Sequence, residues 1–270
     1  MVSFREISSG LRQLGLQQQQ PVIVHASLSA FGEVKGGIAT LLGAILGNFD
    51  AVMAPTFTYK TMLIPEGGPE DNGIAYGAGH DTNQMAENFR PNMPADRMMG
   101  IFAETLRTRP GTVRSTHPIL SFAGTNVDAA LQAQTLQEPL APIRVLMDQG
   151  GWVLLLGTDN TVNTSIHYAE KLAGRKQFTR WALIPDSVAE CPGFPGCSDG
   201  FNQAAPLLEG IACKVTIGQA LVQAMQLQIM CDVLVDLMQK DPLALLCQRE
   251  GCERCDVVRQ AAGLQQQAET

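Results

Sequence analysis

Four groups of residues in this 270-residue chain have side chains able to bind anions, move protons or hold a metal. The first is His25-Ala26-Ser27-Leu28-Ser29, followed by Gly32 and Gly36-Gly37. It leaves an apolar run at 21–25 and enters an apolar stretch at 38–46. A strand, a Ser/Gly loop and a helix start together make an anion site. Glycines admit the backbone to a phosphate, loop N–H groups point inward, and the helix dipole favours negative charge. Gly-Lys-Ser/Thr and G-x-G-x-x-G are both missing, so this is neither a Walker loop nor a dinucleotide fingerprint. An ordinary strand-to-helix turn reads the same residues equally well. The second group is Arg114-Ser115-Thr116-His117-Pro118, a cation and two hydroxyls beside an imidazole. It suits an oxyanion or a phosphate, or is a surface turn with a chance histidine.

The third group is Thr164-Ser165-Ile166-His167-Tyr168-Ala169-Glu170. His167 and Glu170 stand three residues apart, which places them on one face of a helix. An imidazole can take a proton from an attacking amine while a carboxylate orients it. The competing reading is a surface His–Glu pair of little energetic weight. The second histidine of H-E-x-x-H is absent, which argues against a zinc hydrolase. The fourth group is the cysteines. All seven lie beyond residue 190: Cys191, Cys197, Cys213, Cys231, Cys247, Cys252 and Cys255. Cys247-x4-Cys252-x2-Cys255, with Cys191 and Cys197 as further donors, has the spacing of a structural thiolate site, for which zinc is the metal. Buried free thiols and disulfides are the alternatives. No histidine in the last third is available to activate a catalytic thiol.

The elements that must carry these groups are legible from periodicity. Helical spacing of apolar residues marks 4–14, 38–46, 97–107, 143–147 and 163–173, and Asn126 is placed to cap a helix to 131. Apolar runs at 21–25, 51–55, 119–123, 152–156 and 178–183 read as strands. Residues 216–238 read as one long amphipathic helix. Residues 59–96 keep no period, and a stretch of that kind inside a compact domain reads as a lid or binding loop. Strands alternating with helices predict an α/β fold: a single domain over residues 1–270, with a central mixed sheet flanked by helices. Residues 59–96 would form a loop-rich, substrate-side segment, and residues 186–270 a helical, Cys-bearing C-terminal part.

Composition limits the function. Hydrophobic residues make up 45% and charged residues 17%, a globular balance. No apolar run reaches about 18 residues and no basic-then-apolar leader opens the chain, so the expectation is a cytoplasmic protein with reduced thiols and no membrane partner. The formal net charge of -7 repels phosphate backbones, which disfavours nucleic acid, and attracts a cationic small molecule. Glu66, Glu70, Asp71, Asp81 and Glu87 in the loop-rich segment fit a cationic acceptor, and fit ordinary exposed loop charge as well.

Taken in order, these segments resemble the aminoglycoside 3-N-acetyltransferase, or antibiotic N-acetyltransferase, family. The residues that carry the likeness are Val22–Gly32 with Gly36-Gly37, Pro55-Thr56-Phe57-Thr58, and Met99-Gly100 with Glu104 and Arg107. They continue with Arg114–Pro118, Ser121-Phe122-Ala123, Leu154–Gly157 and Thr164–Glu170. Here Ala26 stands where the family has a first serine. The resemblance implies acetyl-CoA (coenzyme A after transfer) as cosubstrate and the 3-amine of a 2-deoxystreptamine aminoglycoside as acceptor, hence an acyltransferase of antibiotic resistance. Another small amine, or CoA binding without catalysis, are the alternatives. By position it implies that Ser27, Leu28, Ser29 and Gly37 hold the CoA phosphates, with Arg114 and Ser115 contributing. It makes His167 the general base, Thr164 the stabiliser of the tetrahedral oxyanion, and Glu170 a group that binds the ammonium substrate, with Glu104 and His117 on the substrate side. A carboxylate partner for His167 is left open among Glu170, Asp199 and Glu209. The expected assembly is a monomer or homodimer.

Overall fold

The structure, a computed structural model, describes the backbone of residues 1–268. Ten strands occur among them: β1 (Val22–Ala26), β2 (Val52–Pro55), β3 (Met62–Leu63), β4 (Val113–Arg114), β5 (Phe122–Thr125), β6 (Trp152–Leu156), β7 (Phe178–Ile184), β8 (Ser187–Phe194), β9 (Cys213–Ile217) and β10 (Ala220–Gln226). The α-helices are α1 (Phe4–Gln13), α2 (Gly37–Leu46), α3 (His80–Gln84), α4 (Gly100–Thr108), α5 (Asp128–Gln132), α6 (Ala141–Asp148), α7 (Thr164–Leu172), α8 (Ala205–Leu208), α9 (Leu227–Lys240) and α10 (Glu253–Ala268).

Seven strands form one mixed sheet in the order β4-β5-β2-β1-β6-β10-β9. Its centre is parallel, with β1 between β2 and β6, and the outer pairs are antiparallel. Both central strands are buried on both faces, which is why Val22-Ile23-Val24 and Val153-Leu154-Leu155-Leu156 are unbroken apolar runs. Alternate side chains still go to opposite layers. Ile23, Val153 and Leu155 join the core under α5, α6, α7 and α9, while Val22, Val24, Leu154 and Leu156 join the core under α1, α2 and α4. A second sheet, β3-β7-β8, stands beside the first. It ties the loop-rich segment to the rest through the β3 and β7 pairing.

One expected element is overturned. The long helix over 216–238 is a hairpin followed by a helix: β9 ends at Ile217, Gly218 turns with φ 60°, and β10 runs antiparallel to β6 before α9 begins at Leu227. The reason lies in the period. Ala220, Val222 and Ala224 are buried while Leu221 is exposed, an alternation of two rather than 3.6. The C-terminal part is therefore not simply helical, since β8, β9 and β10 lie in it. Asn126 does not cap a helix either. It takes φ 56° and its Nδ2 donates to the Asp50 carbonyl, leaving Val127 before α5. No helix of the described residues is long and apolar enough to cross a membrane.

Candidate active site

A cleft of 1190 Å³ opens at the carboxyl ends of β1 and β6. In open α/β sheets ligands bind there, at the point where connections leave in opposite directions. One wall is the loop that leaves β1. Ser27, Leu28 and Ser29 line it, with the Ser27 and Ser29 hydroxyls 3.2 Å apart. Gly37 opens α2 on the same wall, and Gly36 before it offers no side-chain cap. The first N–H groups of a helix have no intrahelical partner, so this end presents donors and positive dipole to the cleft. A side chain at 37 would point into open space while the φ of 59° disfavours one, a wall that admits a bulky anion.

The start of α7 also lines the cleft. Asn163 caps that helix by accepting from the Ser165 N–H at 3.2 Å, which puts Thr164 at its first position and His167 one turn on. Both line the cleft. His167 Nδ1 lies 2.7 Å from Glu170 Oε2, which leaves Nε2 unengaged by that carboxylate. Glu170 is 2% exposed and its other oxygen accepts from Arg175 Nη1 at 2.9 Å. Arg175 arrives there because α7 ends in a Schellman turn: Arg175 N–H donates to the Glu170 carbonyl and Gly174 N–H to that of Lys171. Its guanidinium also donates to the carbonyls of Pro242 and Ala244, so the cation is itself fixed from the chain after α9. The imidazole sits edge-on to Phe201 with ring centroids 4.7 Å apart. Asn202, next in sequence, donates to Asp159 and accepts from the Asn160 N–H, which ties that aromatic to the loop after β6.

This geometry settles where the expected partner carboxylates lie. Glu170 is the carboxylate on His167. Its two oxygens contact His167 and Arg175, and it is absent from the cleft lining. Asp199 lines the cleft but pairs with Arg249 at 3.2 Å, and Glu209 pairs with Lys214 on the surface.

Four expected site residues stand apart from the cleft wall. Arg114 donates to Ser121 Oγ and to the carbonyls of Thr56, Pro91 and Met93, so its guanidinium is consumed in holding loops together, and burial lowers its pKa to about 10. Ser115 Oγ accepts from the Phe122 N–H at 2.9 Å, fastening β4 to β5. His117 Nδ1 accepts from the N–H groups of Ile119 and Leu120. Glu104 forms a two-bond pair with Arg107 and accepts from the Ala95 N–H. These motifs lock the architecture beside the cleft instead of entering it. Sequence reasoning missed Arg175, Phe201 and Arg254. Gly174, the helix-ending glycine before Arg175, was the available signal for the first.

Burial holds two histidines toward the neutral form, His25 in the cleft lining and His117 outside it. Burial lowers the His25 pKa to about 3, and its Nε2 has no partner. Burial likewise lowers that of His117 to about 4. Both values lie below the unfolded-state pKa of about 6.5. The folded chain therefore refuses protons that the unfolded chain accepts. The stabilisation is complete above about pH 6.5 and is lost as pH falls through the folded values. Two such groups steepen the dependence by up to about 2.7 kcal/mol per pH unit. Urea midpoints measured at intervals between about pH 7 and about pH 4 should fall steadily, and a constant midpoint would contradict this.

The family profile described as aminoglycoside 3-N-acetyltransferase matches residues 23–239. Aminoglycoside N(3)-acetyltransferase IX of Micromonospora chalcea is 34% identical over 183 residues, 64% of this chain; the match spans 63% of that relative, under two thirds of its length. Among solved structures, the apoenzyme of aminoglycoside acetyltransferase AAC(3)-IVa superposes with a TM-score of 0.78 at 22% identity, covering 96% of this chain and 97% of that one. A binary complex of AAC-IIIb with CoASH gives 0.71 at 22% identity, over 88% and 96%. The profile spans most of the chain, and the solved structures share its fold: this chain belongs to the aminoglycoside 3-N-acetyltransferase family.

Proposed function

We propose that this protein is a cytoplasmic acetyl-CoA-dependent N-acetyltransferase that modifies the 3-amino group of 2-deoxystreptamine aminoglycosides. The observation that carries the reading is the His167–Glu170–Arg175 chain, buried at its base, with its imidazole lining the same cavity as the Ser27–Ser29 loop. The AAC-IIIb structure holds CoASH on the same fold, which supports a CoA site here. Ser27, Leu28, Ser29 and the start of α2 at Gly37 would hold the nucleotide's phosphates, and the bound cosubstrate supplies an acetyl group activated as a thioester. The enzyme supplies position and a proton acceptor. His167 Nε2 takes the proton of the attacking amine and returns it to the departing thiolate. Glu170 keeps the imidazole ring turned so that Nδ1 faces inward. Thr164, one turn earlier, offers its hydroxyl to the negative charge that develops on the carbonyl oxygen. No covalent enzyme intermediate is needed, since the amine is itself the nucleophile once deprotonated.

A second acceptor class has a specific observation in its favour. The cleft wall carries Arg180, Arg249 and Arg254 but a single carboxylate, Asp199, together with Met62, Ile64, Ile74, Met98 and Met99. None of Glu66, Glu70, Asp71, Asp81 and Glu87 lines it, and Glu70 and Asp71 border a separate shallow depression. A polycation gains little from such a wall, whereas an amine on an apolar or anionic small molecule suits it. Thiol release from acetyl-CoA across a panel of aminoglycosides, amino acids and aryl-alkyl amines separates the two. Turnover of a 2-deoxystreptamine compound supports the first reading. Turnover confined to the less cationic amines supports the second and removes the first.

A further inference from the structure

We propose that Cys197, Cys247, Cys252 and Cys255 bind one zinc ion in a closed tetrathiolate site that fastens the C-terminal helix to the rim of the acyl-transfer cleft. The four Sγ atoms all lie within 4.8 Å of one another, and all four side chains are buried. A tetrahedral zinc with Zn–S bonds of about 2.3 Å sets its sulfurs about 3.8 Å apart, so the cluster accepts the ion with small rotations. The donors come from three separate segments. Cys197 follows β8, Cys247 lies in the chain between α9 and α10, and Cys252 and Cys255 sit at the start of α10. Convergence of thiols from distant segments is what a metal clip needs and what local packing does not require. None of the four is disulfide-bonded.

The backbone is shaped for this meeting. A Cβ on Gly200 would lie 2.3 Å from the Leu245 carbonyl oxygen and 2.8 Å from the Cys247 N atom, so only glycine lets that strand of chain pass close enough to bring Cys247 beside Cys197. The charges agree as well. Four thiolates and one Zn²⁺ leave a net charge of about −2, and guanidinium groups surround the cluster. Arg249 Nη2 is 3.7 Å from Cys252 Sγ, Arg254 donates to the Gly196 carbonyl at 2.8 Å, and Arg259 donates to that of Cys247. Such outer partners orient ligands and offset their charge. Soft sulfur donors in a tetrahedral, fully closed set select zinc and leave no position for a substrate, so the site is structural. Cys191, grouped with these by spacing, does not join them: it faces the core from β8, with its sulfur toward the Ala189 carbonyl.

The site also touches the proposed catalytic chain. Gly196, adjacent to Cys197, lies against Glu170; a Cβ there would stand 3.7 and 3.8 Å from the two carboxylate oxygens. Only the significance of that contact for catalysis rests on the acetyltransferase reading, and metal content does not. Metal analysis of the full chain, purified under reducing conditions without added metal, should find one zinc per chain. Thiol titration with a mercurial should release that zinc as the four cluster thiols react. The Cys247→Ser and Cys255→Ser variants should lose the zinc, while Cys213→Ser, on β9 outside the cluster, keeps it. Should the serine variants fail to fold, cobalt exchanged into the wild-type protein should show sulfur-to-metal charge transfer and tetrahedral ligand-field bands. Zinc far below stoichiometry with all seven thiols freely titrating, or disulfides among the four, would overturn the proposal.

Discussion

Replacing His167 with alanine is expected to lower kcat by about 10²–10⁴-fold, the range a positioned general base contributes, while the affinity for CoA stays near the wild-type value. The asymmetry follows from the geometry. His167 stands on α7, a separate element from the loop and helix start that carry Ser27, Leu28, Ser29 and Gly37. An ammonium is not a nucleophile, so without an acceptor for its proton the reaction depends on the small neutral fraction of the amine. The loss should shrink as pH is raised and more acceptor becomes neutral, a signature that simple misfolding would not give. Steady-state rates against pH, with CoA binding measured by calorimetry, test both parts. An unchanged kcat removes His167 from the mechanism.

The second large effect concerns stability. Glu170 is held between His167 and Arg175, and the side chains of Glu170 and Arg175 are only 2% and 5% exposed. Removing one partner of a buried pair strands the other charge, which costs about 3–5 kcal/mol. Arg175→Met should therefore lower the unfolding free energy by about that amount, because the buried carboxylate then keeps only its contact with His167. The loss at Arg175 exceeds the ordinary cost of a surface ion pair, about 0–1 kcal/mol, and the gap decides whether the pair is structural. Denaturant titration of the variant checks this; a change within the surface-pair range would mean that Glu170 is solvated or protonated. The double variant Glu170→Gln with Arg175→Met should regain part of the loss, since no buried anion remains.

The sequence and the structure agree wherever one period dominated. β1, β6, α2 and α7 lie within a residue or two of their expected bounds, and they are the elements that carry Ser27, Gly37, Thr164 and His167. The His167–Glu170 contact follows from helix geometry alone. Other features depended on long-range packing. The hairpin β9–β10 was hidden because its short alternation at Ala220, Val222 and Ala224 runs straight into the helical pattern of α9, and pairing with β6 separates the two. Arg114, Ser115 and His117 have the residue types of an anion site, yet most of the hydrogen bonds they make in the fold go to neighbouring backbone. Whether a polar side chain meets a ligand or a carbonyl is set by tertiary neighbours, which spacing cannot report. Arg175 reaches Glu170 through a helix-ending turn that spacing does not reveal, whereas the grouping of Cys197 with Cys247, Cys252 and Cys255 was legible and only the place of Cys191 was not.

A crystal structure of the full chain with CoA is the most direct test of the central claim. The account predicts the pyrophosphate against Ser27–Ser29 and the start of α2 at Gly37, with the thiol sulfur in the cleft facing His167 Nε2. CoA bound elsewhere, or a thiol directed away from that imidazole, would contradict it.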